Sequence, residues 1–98
     1  MTVAHLRIYT INKGYLDSWI KLFHGELVPL MEAAGMTIGG SWINENRSQF
    51  IWIRSYGPTL DNYPQMGAAY KDSDWWKANV DPARRHIAHM EVVQVESA

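Results

Sequence analysis

The chain has 98 residues, with nine basic and ten acidic side chains and a formal charge of −1 at pH 7. This balance gives no electrostatic basis for binding nucleic acid or an anionic membrane surface. The absence of cysteine excludes disulfides, thiolate metal sites and thiol nucleophiles. No apolar run is as long as a membrane span requires, so we expect a soluble, cytoplasmic protein folded as one domain over residues 1–98.

Hydrophobic residues make up 47% of the chain and include five tryptophans and five tyrosines. A chain of this length buries only about 65% of the surface that its unfolded form exposes, so its core is thin. The rings could simply replace leucine in that core. We favour the alternative that a second copy of the chain covers part of this apolar surface.

The first predicted strand separates two kinds of side chain. Within residues 4–11, apolar side chains alternate with His5, Arg7 and Tyr9. Because successive strand residues point to opposite faces, one face is hydrocarbon and the other carries an imidazole, a guanidinium and a phenol.

A long amphipathic helix follows the first strand. Apolar residues recur at steps of three and four over residues 15–34, which predicts one apolar stripe. Pro29 removes a backbone donor inside this segment, so we expect a kink near residues 25–26. Gly35 is placed to end the helix.

A β-hairpin is predicted next, with strands over residues 36–44 and 49–56. The Gly-Gly pair at residues 39–40 indicates a bulge or a close backbone approach. The register across the hairpin decides whether Trp42 shares a face with the aromatic residues of the second strand or with its isoleucines. Both arrangements stay open.

The remaining helical signals come in three pieces. Residues 64–70 form one short helix, Ser73 can cap a second, and Asp-Pro at residues 81–82 marks a third start. A last strand is predicted over residues 86–95. The order β-α-β-β-α-β predicts an α+β, ferredoxin-like fold with a four-stranded antiparallel sheet, strands 1 and 3 in the middle and helices on one face.

Five short segments resemble domains of the NIPSNAP family: LRIYT at residues 6–10, the turn at 13–14, LVPL at 27–30, FIWIRSY at 50–56 and SDW at 73–75. The resemblance implies a homodimeric α+β barrel in which two such sheets pack face to face with the helices outside. The wider fold superfamily includes cofactor-independent monooxygenases, haem-degrading enzymes and proteins without known activity. Fold alone therefore names no reaction.

The candidate catalytic residues lie on the polar face of the first strand. Arg7 can hold an anionic or carbonyl-bearing ligand while His5 or Tyr9 transfers a proton. The family often has an acidic residue where this chain has His5. A role that depends on a carboxylate at this position is therefore not expected in this chain. The alternative is structural: Arg7 pairs with Glu91 or another acid, and Tyr9 bonds a backbone carbonyl.

His89 is a fourth candidate catalytic residue. Strands 1 and 4 are predicted neighbours, so His89 can approach His5 as a proton carrier or as a haem or metal pair. His86 and His89 lie three residues apart on a strand and point to opposite faces, so they cannot share an ion. We expect no metal site.

Several aromatic residues can line a pocket for a flat apolar molecule, although packing in the core is their default role. The candidate pocket residues are Trp42, Trp52, Arg54 and Trp75. Adjacent helical residues diverge by about 100°, so either Trp75 or Trp76 is expected to meet the pocket mouth or a partner chain.

The leading hypothesis is a protein that binds or transforms a small apolar, aromatic or carbonyl compound between sheet and helices, without a bound organic cofactor. The alternative is a non-catalytic dimeric interaction or regulatory module, and the sequence leaves open whether the protein is an enzyme. RNA-recognition domains share the strand order, but their pattern of a basic residue, glycine and alternating aromatics is absent.

Overall fold

The computed structural model describes residues 1–98. In chain order the elements are β1 (Val3–Ile11), α1 (Leu16–Leu22), a π-helical turn (Phe23–Leu27), α2 (Val28–Ala33), β2 (Thr37–Ile43), β3 (Gln49–Gly57), α3 (Tyr63–Lys71), α4 (Asp74–Arg84) and β4 (Ile87–Glu96). The strands form one antiparallel sheet in the order β2-β3-β1-β4. The predicted ferredoxin-like arrangement is confirmed. None of the helices combines the length and the apolar composition that crossing a bilayer requires.

The irregularity expected inside the first helix takes the form of a π-helical turn. The N–H of Val28 bonds the carbonyl of Phe23, one residue further back than in an α-helix. Pro29 lies in the first turn of α2 directly after this wide turn. The helical segment ends at Gly35, whose φ of 98° suits only glycine well and whose N–H bonds the carbonyl of Glu32.

The second helical region contains two helices. Ser73 caps α4, and its hydroxyl accepts a bond from the backbone N–H of Trp76 at 3.2 Å. The expectation that Asp81-Pro82 starts a third helix is wrong, because α4 continues through Pro82. The carbonyl of Asp81 accepts the N–H of Arg85 at 3.1 Å, so helical bonding resumes past the proline, which costs a single bond near the helix end.

The core lies between the helices and one face of the sheet, and most of it is aromatic. Phe23 in the π-helical turn is fully buried against Phe50 of β3, with ring centroids 4.7 Å apart. Eleven buried residues form this cluster: Tyr9, Ile11, Trp19, Phe23, Leu27, Met31, Met36, Phe50, Trp52, Tyr56 and Tyr70. The polar face of β1 is therefore the covered one.

The other face of the sheet carries no helix, and we call it the helix-free face. Leu6 and Ile8 of β1 lie there beside Ile51 and Ile53 of β3. Trp42 pairs with Ile51, which settles the open register, and its side chain is 54% exposed. The molecule measures only 19 Å across its thinnest direction, as expected for one sheet and one layer of helices.

The Gly-Gly pair of β2 forms the expected bulge. Ile38 lies opposite Arg54 and Gly40 lies opposite Ile53, so Gly39 is the extra residue. A Cβ atom at Gly40 would approach the ring of Trp42 to 2.9 Å. The glycine therefore leaves room for the Trp42 ring to lie close to the backbone of the edge strand.

Candidate functional site

A cavity of about 410 Å³ opens between the sheet and helices α3 and α4. Nineteen residues line it, and thirteen of them are hydrophobic. The sheet residues Arg7, Tyr9, Trp52 and Arg54 form its floor, and α3 and α4 form its outer wall. A space of this size, mostly apolar with a few polar groups, is typical of a small-molecule site.

Two arginines lie close to the Trp52 ring on the floor of the cavity. Arg7 lies directly opposite Trp52 across the β1–β3 ladder, and Arg54 is two residues further along β3 on the same face. The central guanidinium carbon of each arginine lies 5.6 Å from the centre of the Trp52 ring. Arg7 is half-buried, whereas Arg54 is only 8% exposed.

Each arginine is oriented by a tyrosine two residues away on its own strand. Nε of Arg7 donates to the Tyr9 hydroxyl at 2.9 Å, and Nε of Arg54 donates to the Tyr56 hydroxyl at 2.7 Å. The other guanidinium contacts are weak ones to sulfur, at 3.4 Å for Arg7 and 3.6 Å for Arg54. Much of the donor capacity of both groups is therefore unused within the protein.

The lining of the cavity is positively charged and contains no carboxylate. Lys71 and Arg84 at its rim join the two floor arginines, and no aspartate or glutamate is among the lining residues. The one ion pair of the protein joins Arg47 to Asp17 on the surface at 3.9 Å. The electrostatics of the cavity therefore favour a negatively charged occupant.

His5 lies on the covered face beside the cavity floor but does not line the cavity. Its Nδ1 is 2.7 Å from the Tyr56 hydroxyl, and its ring packs edge-on against Tyr56 and Tyr63. Burial, and then the positive charges of Arg7 and Arg54, lower the pKa of His5 below its usual value. Burial raises the pKa of Tyr56 although the nearby Arg54 opposes that shift.

Tyr70 of α3 faces the same cavity and is 8% exposed. Burial and the neighbouring Tyr9 phenol raise its pKa. The Tyr70 hydroxyl is therefore neutral at physiological pH and can donate a hydrogen bond. The Tyr9 hydroxyl accepts from Arg7 and keeps its own proton for a second partner.

The approach of His89 to His5, which the strand order allowed, does not occur. His89 pairs with Thr10 and lies exposed on the helix-free face, whereas His5 pairs with Gln94 on the covered face. The structural alternative for Arg7 is not realised either. Glu91 lies opposite Ile8 on the helix-free face, and no acid pairs with Arg7.

Two of the four expected pocket residues line the cavity and two do not. Trp52 and Arg54 line the cavity, but Trp42 lies on the helix-free face and Trp75 packs against the edge of the core instead. Of the tryptophan pair in α4, Trp76 is the one that lines the cavity. The turn of about 100° between adjacent helical residues accounts for the separation.

Comparison with known proteins assigns the family. A model of the NIPSNAP family matches residues 4–95. The chain belongs to the NIPSNAP family. Among curated proteins, none matches it.

Solved structures of related proteins share the fold. This NIPSNAP chain is 19% identical to a NIPSNAP family protein from Agrobacterium tumefaciens, with a TM-score of 0.89 over 100% of this chain and 94% of that one. A NIPSNAP family protein of unknown function from the same organism is 16% identical, with a TM-score of 0.86 over 99% and 88% of the two chains. An antibiotic biosynthesis monooxygenase is 13% identical, with a TM-score of 0.65 over 98% of each chain. At these identities the likeness concerns fold alone.

Sequence reasoning did not assign the outer wall of this NIPSNAP site. The lining residues of α3 lie at positions 63–64, 67–68 and 70–71, which is the spacing of one helix face. Gly67 and Ala68 interrupt that face with small residues, so it does not read as an apolar stripe. In α4, the seven-residue step from Trp76 to the buried Ala83 was the available signal.

Proposed function

We propose that this NIPSNAP protein acts in the cytoplasm, where it binds or transforms a small molecule without a bound organic cofactor. The ligand has an apolar or aromatic body and one carbonyl or anionic group. The observation that carries this proposal is Arg54, a buried cation with no carboxylate partner. Burying an uncompensated charge costs several kcal/mol. A negative group on a ligand offsets that cost.

The polar end of the ligand belongs at the floor of the cavity. Arg7 and Arg54 lie on the same face there, and the Tyr9 hydroxyl retains a proton that it can donate. Two cations and a phenol on one cavity floor can stabilise a carboxylate, an enolate or a polarised carbonyl oxygen. The floor groups are therefore the candidate anchors for either binding or oxyanion chemistry.

The rest of the ligand contacts rings. Trp19, Phe23 and Trp76 line the cavity above the floor, and Tyr63 and Tyr70 line it from α3. Aromatic walls favour flat apolar groups because they bury area and stack with specific geometry. An aromatic or unsaturated body fits this lining better than a sugar or a polyol does.

Titration calorimetry with 1-naphthaleneacetate and its neutral amide tests the proposal. The acid has the anionic group and flat body that the cavity favours, and the amide retains the shape and a carbonyl. We expect the acid to bind to the wild-type protein. Its affinity for Arg7→Gln should be at least about tenfold lower, because that variant loses one charge-assisted hydrogen bond. Arg47→Gln, a surface change, is the control and should bind as the wild type does. The proposal fails if neither compound binds or if Arg7→Gln binds both unchanged.

The helix-free face supports a second candidate function, that of a dimeric interaction module. Leu6, Ile8, Ile51 and Ile53 form its centre, and Trp42 lies exposed at its edge. An apolar sheet face of this kind supports a role in docking. We propose that a second copy of the chain covers it, as the dimeric α+β barrel implied by the family resemblance would require.

A further inference from the structure

Arg54 on the cavity floor is connected by hydrogen bonds to a titratable group outside the cavity. The Tyr56 hydroxyl accepts from Nε of Arg54 at 2.7 Å and lies 2.7 Å from Nδ1 of His5. His5 is not among the lining residues, so a ligand beside Arg54 affects it through charge and through this hydrogen-bond chain. The fold therefore contains a short path from the cavity floor to an imidazole.

This path allows His5 to gain a proton without repacking. An arginine N–H only donates, so the Tyr56 oxygen must accept at Arg54. While the His5 ring is neutral, the single Tyr56 proton can point to Nδ1. When the ring is charged, Nδ1–H donates to the second lone pair of the Tyr56 oxygen. The contact between the two residues remains, and the Tyr56 proton turns away from the imidazole.

The charges that face this imidazole have one sign. Arg7 follows it on the same face of β1, and Arg54 lies directly opposite on β3. Tyr56 and Tyr63 present neutral phenols, and the residue opposite on β4 is the uncharged Gln94. No carboxylate balances the two guanidiniums, so in the empty cavity they disfavour the charged imidazole.

We propose that the ligand binds as an anion whose charged group lies between Arg7 and Arg54, and that His5 takes up a proton in the same step. The inference rests on the proposed function. It narrows the class of ligand, because the polar group must be an anion and not a neutral carbonyl. A negative charge beside the guanidiniums offsets their repulsion of the imidazolium. The coupling is reciprocal, so anion affinity rises as His5 becomes protonated.

Calorimetry of the wild-type protein with 1-naphthaleneacetate measures this proton uptake. Titrations at about pH 6, near the ordinary pKa of histidine, are run in two non-anionic buffers with different heats of ionisation. We expect the apparent binding enthalpies in the two buffers to differ, because the buffer supplies a fraction of one proton for each ligand bound. The difference should equal that fraction multiplied by the difference between the two heats of ionisation. We also expect affinity to be severalfold higher at about pH 6 than at about pH 8.

The variant His5→Asn separates this inference from the function on which it rests. Asparagine keeps an oxygen near the position of Nδ1 to accept from Tyr56 but cannot take up a proton. It should bind the acid with equal apparent enthalpies in the two buffers and equal affinities at the two pH values. The exposed His24→Asn should retain the buffer and pH dependence of the wild type.

A second measurement uses only the wild-type protein and does not depend on whether a variant folds. The histidine ring protons of the wild type are titrated by NMR with and without 1-naphthaleneacetate, and one of the four imidazoles should show a ligand-induced rise in pKa. Binding with equal enthalpies in the two buffers and no such rise would overturn the inference and leave the proposed function standing. A buffer difference that persists in His5→Asn would also overturn it. No binding at all would overturn both.

Discussion

The two faces of β1 are composed in opposite ways. The face beneath the helices carries His5, Arg7 and Tyr9, whereas the helix-free face carries Leu6 and Ile8. A sheet built only for stability would place its hydrocarbon beneath the helices and its charges in water. The arginine and histidine on the covered face of β1 support the proposal of ligand binding there, and the apolar helix-free face supports the proposal of association.

The comparison extends to the neighbouring strands. On the covered face, β3 contributes Trp52 and Arg54, and β4 contributes Met90 beside Arg7. On the helix-free face the same strands contribute Ile51 and Val93. The arginines therefore lie only on the covered face of β1 and β3, and aliphatic residues of all three strands lie on the helix-free face, where β4 also places Glu91 and His89. The predictions that follow test what each face contributes.

The largest effect is expected where the covered face meets the helices. Phe23 is fully buried at the π-helical turn, in contact with Phe50 and Trp52. Phe23→Ala should lower the free energy of unfolding by about 4 kcal/mol, from lost transfer energy and the cavity left behind. Urea denaturation measures this loss, and Phe23→Leu should recover most of it. A loss below about 1 kcal/mol would show that the helices do not depend on this ring.

Association should respond to a charge on the helix-free face. Leu6→Glu places a carboxylate at its centre, which a dimer would have to bury, so sedimentation should show the wild type as a dimer and the variant as a monomer. Val92→Glu is the matched control, because Val92 lies on β4 on the other face and is already 45% exposed. A wild-type monomer, or equal dissociation by both variants, would refute the assignment of this face.

The features that the sequence predicted correctly are those that depend on residues close together along the chain. The alternation along β1 gave its two faces correctly, since side-chain direction in a strand follows from position alone. The cap at Ser73 and the helix end at Gly35 were equally local. The sequence could not say which face the helices would cover, because that depends on packing between elements distant in the chain.

The errors concern register and orientation. His89 was placed near His5, but the pairing of two strands separated by most of the chain puts them on opposite faces. The face on which Trp42 lies depends on the length of the hairpin loop. In that loop the side-chain oxygen of Asn44 accepts the backbone N–H groups of Ser48 and Gln49 at 2.9 and 2.8 Å. A shift of one residue in either ladder would have exchanged the two faces.

A third prediction concerns the energetic cost of the covered face. Arg54→Met removes a buried charge but keeps most of the side-chain volume, and Tyr56 keeps its contact with His5. We expect the free energy of unfolding to rise by about 1 kcal/mol, as buried charges replaced by apolar residues often produce. Binding of 1-naphthaleneacetate should fall at least about tenfold. Thermal unfolding and calorimetry measure the two effects, and a less stable variant that binds normally would contradict both.

The smallest expected effect is a pH dependence of stability. The pKa of His5 in the folded protein lies below its unfolded value of about 6.5. Between these two values the unfolded chain binds more protons, so the free energy of unfolding increases with pH in this window. The stability is fully present above the unfolded pKa and is lost as pH falls through the folded one. Urea denaturation between about pH 5 and 7.5 should show this slope in the wild type and in His24→Asn, and a smaller slope in His5→Asn. Equal slopes in all three would mean that neither burial nor the floor arginines lower the pKa of His5 in the folded protein, which would remove the electrostatic link between the cavity and the neighbouring imidazole.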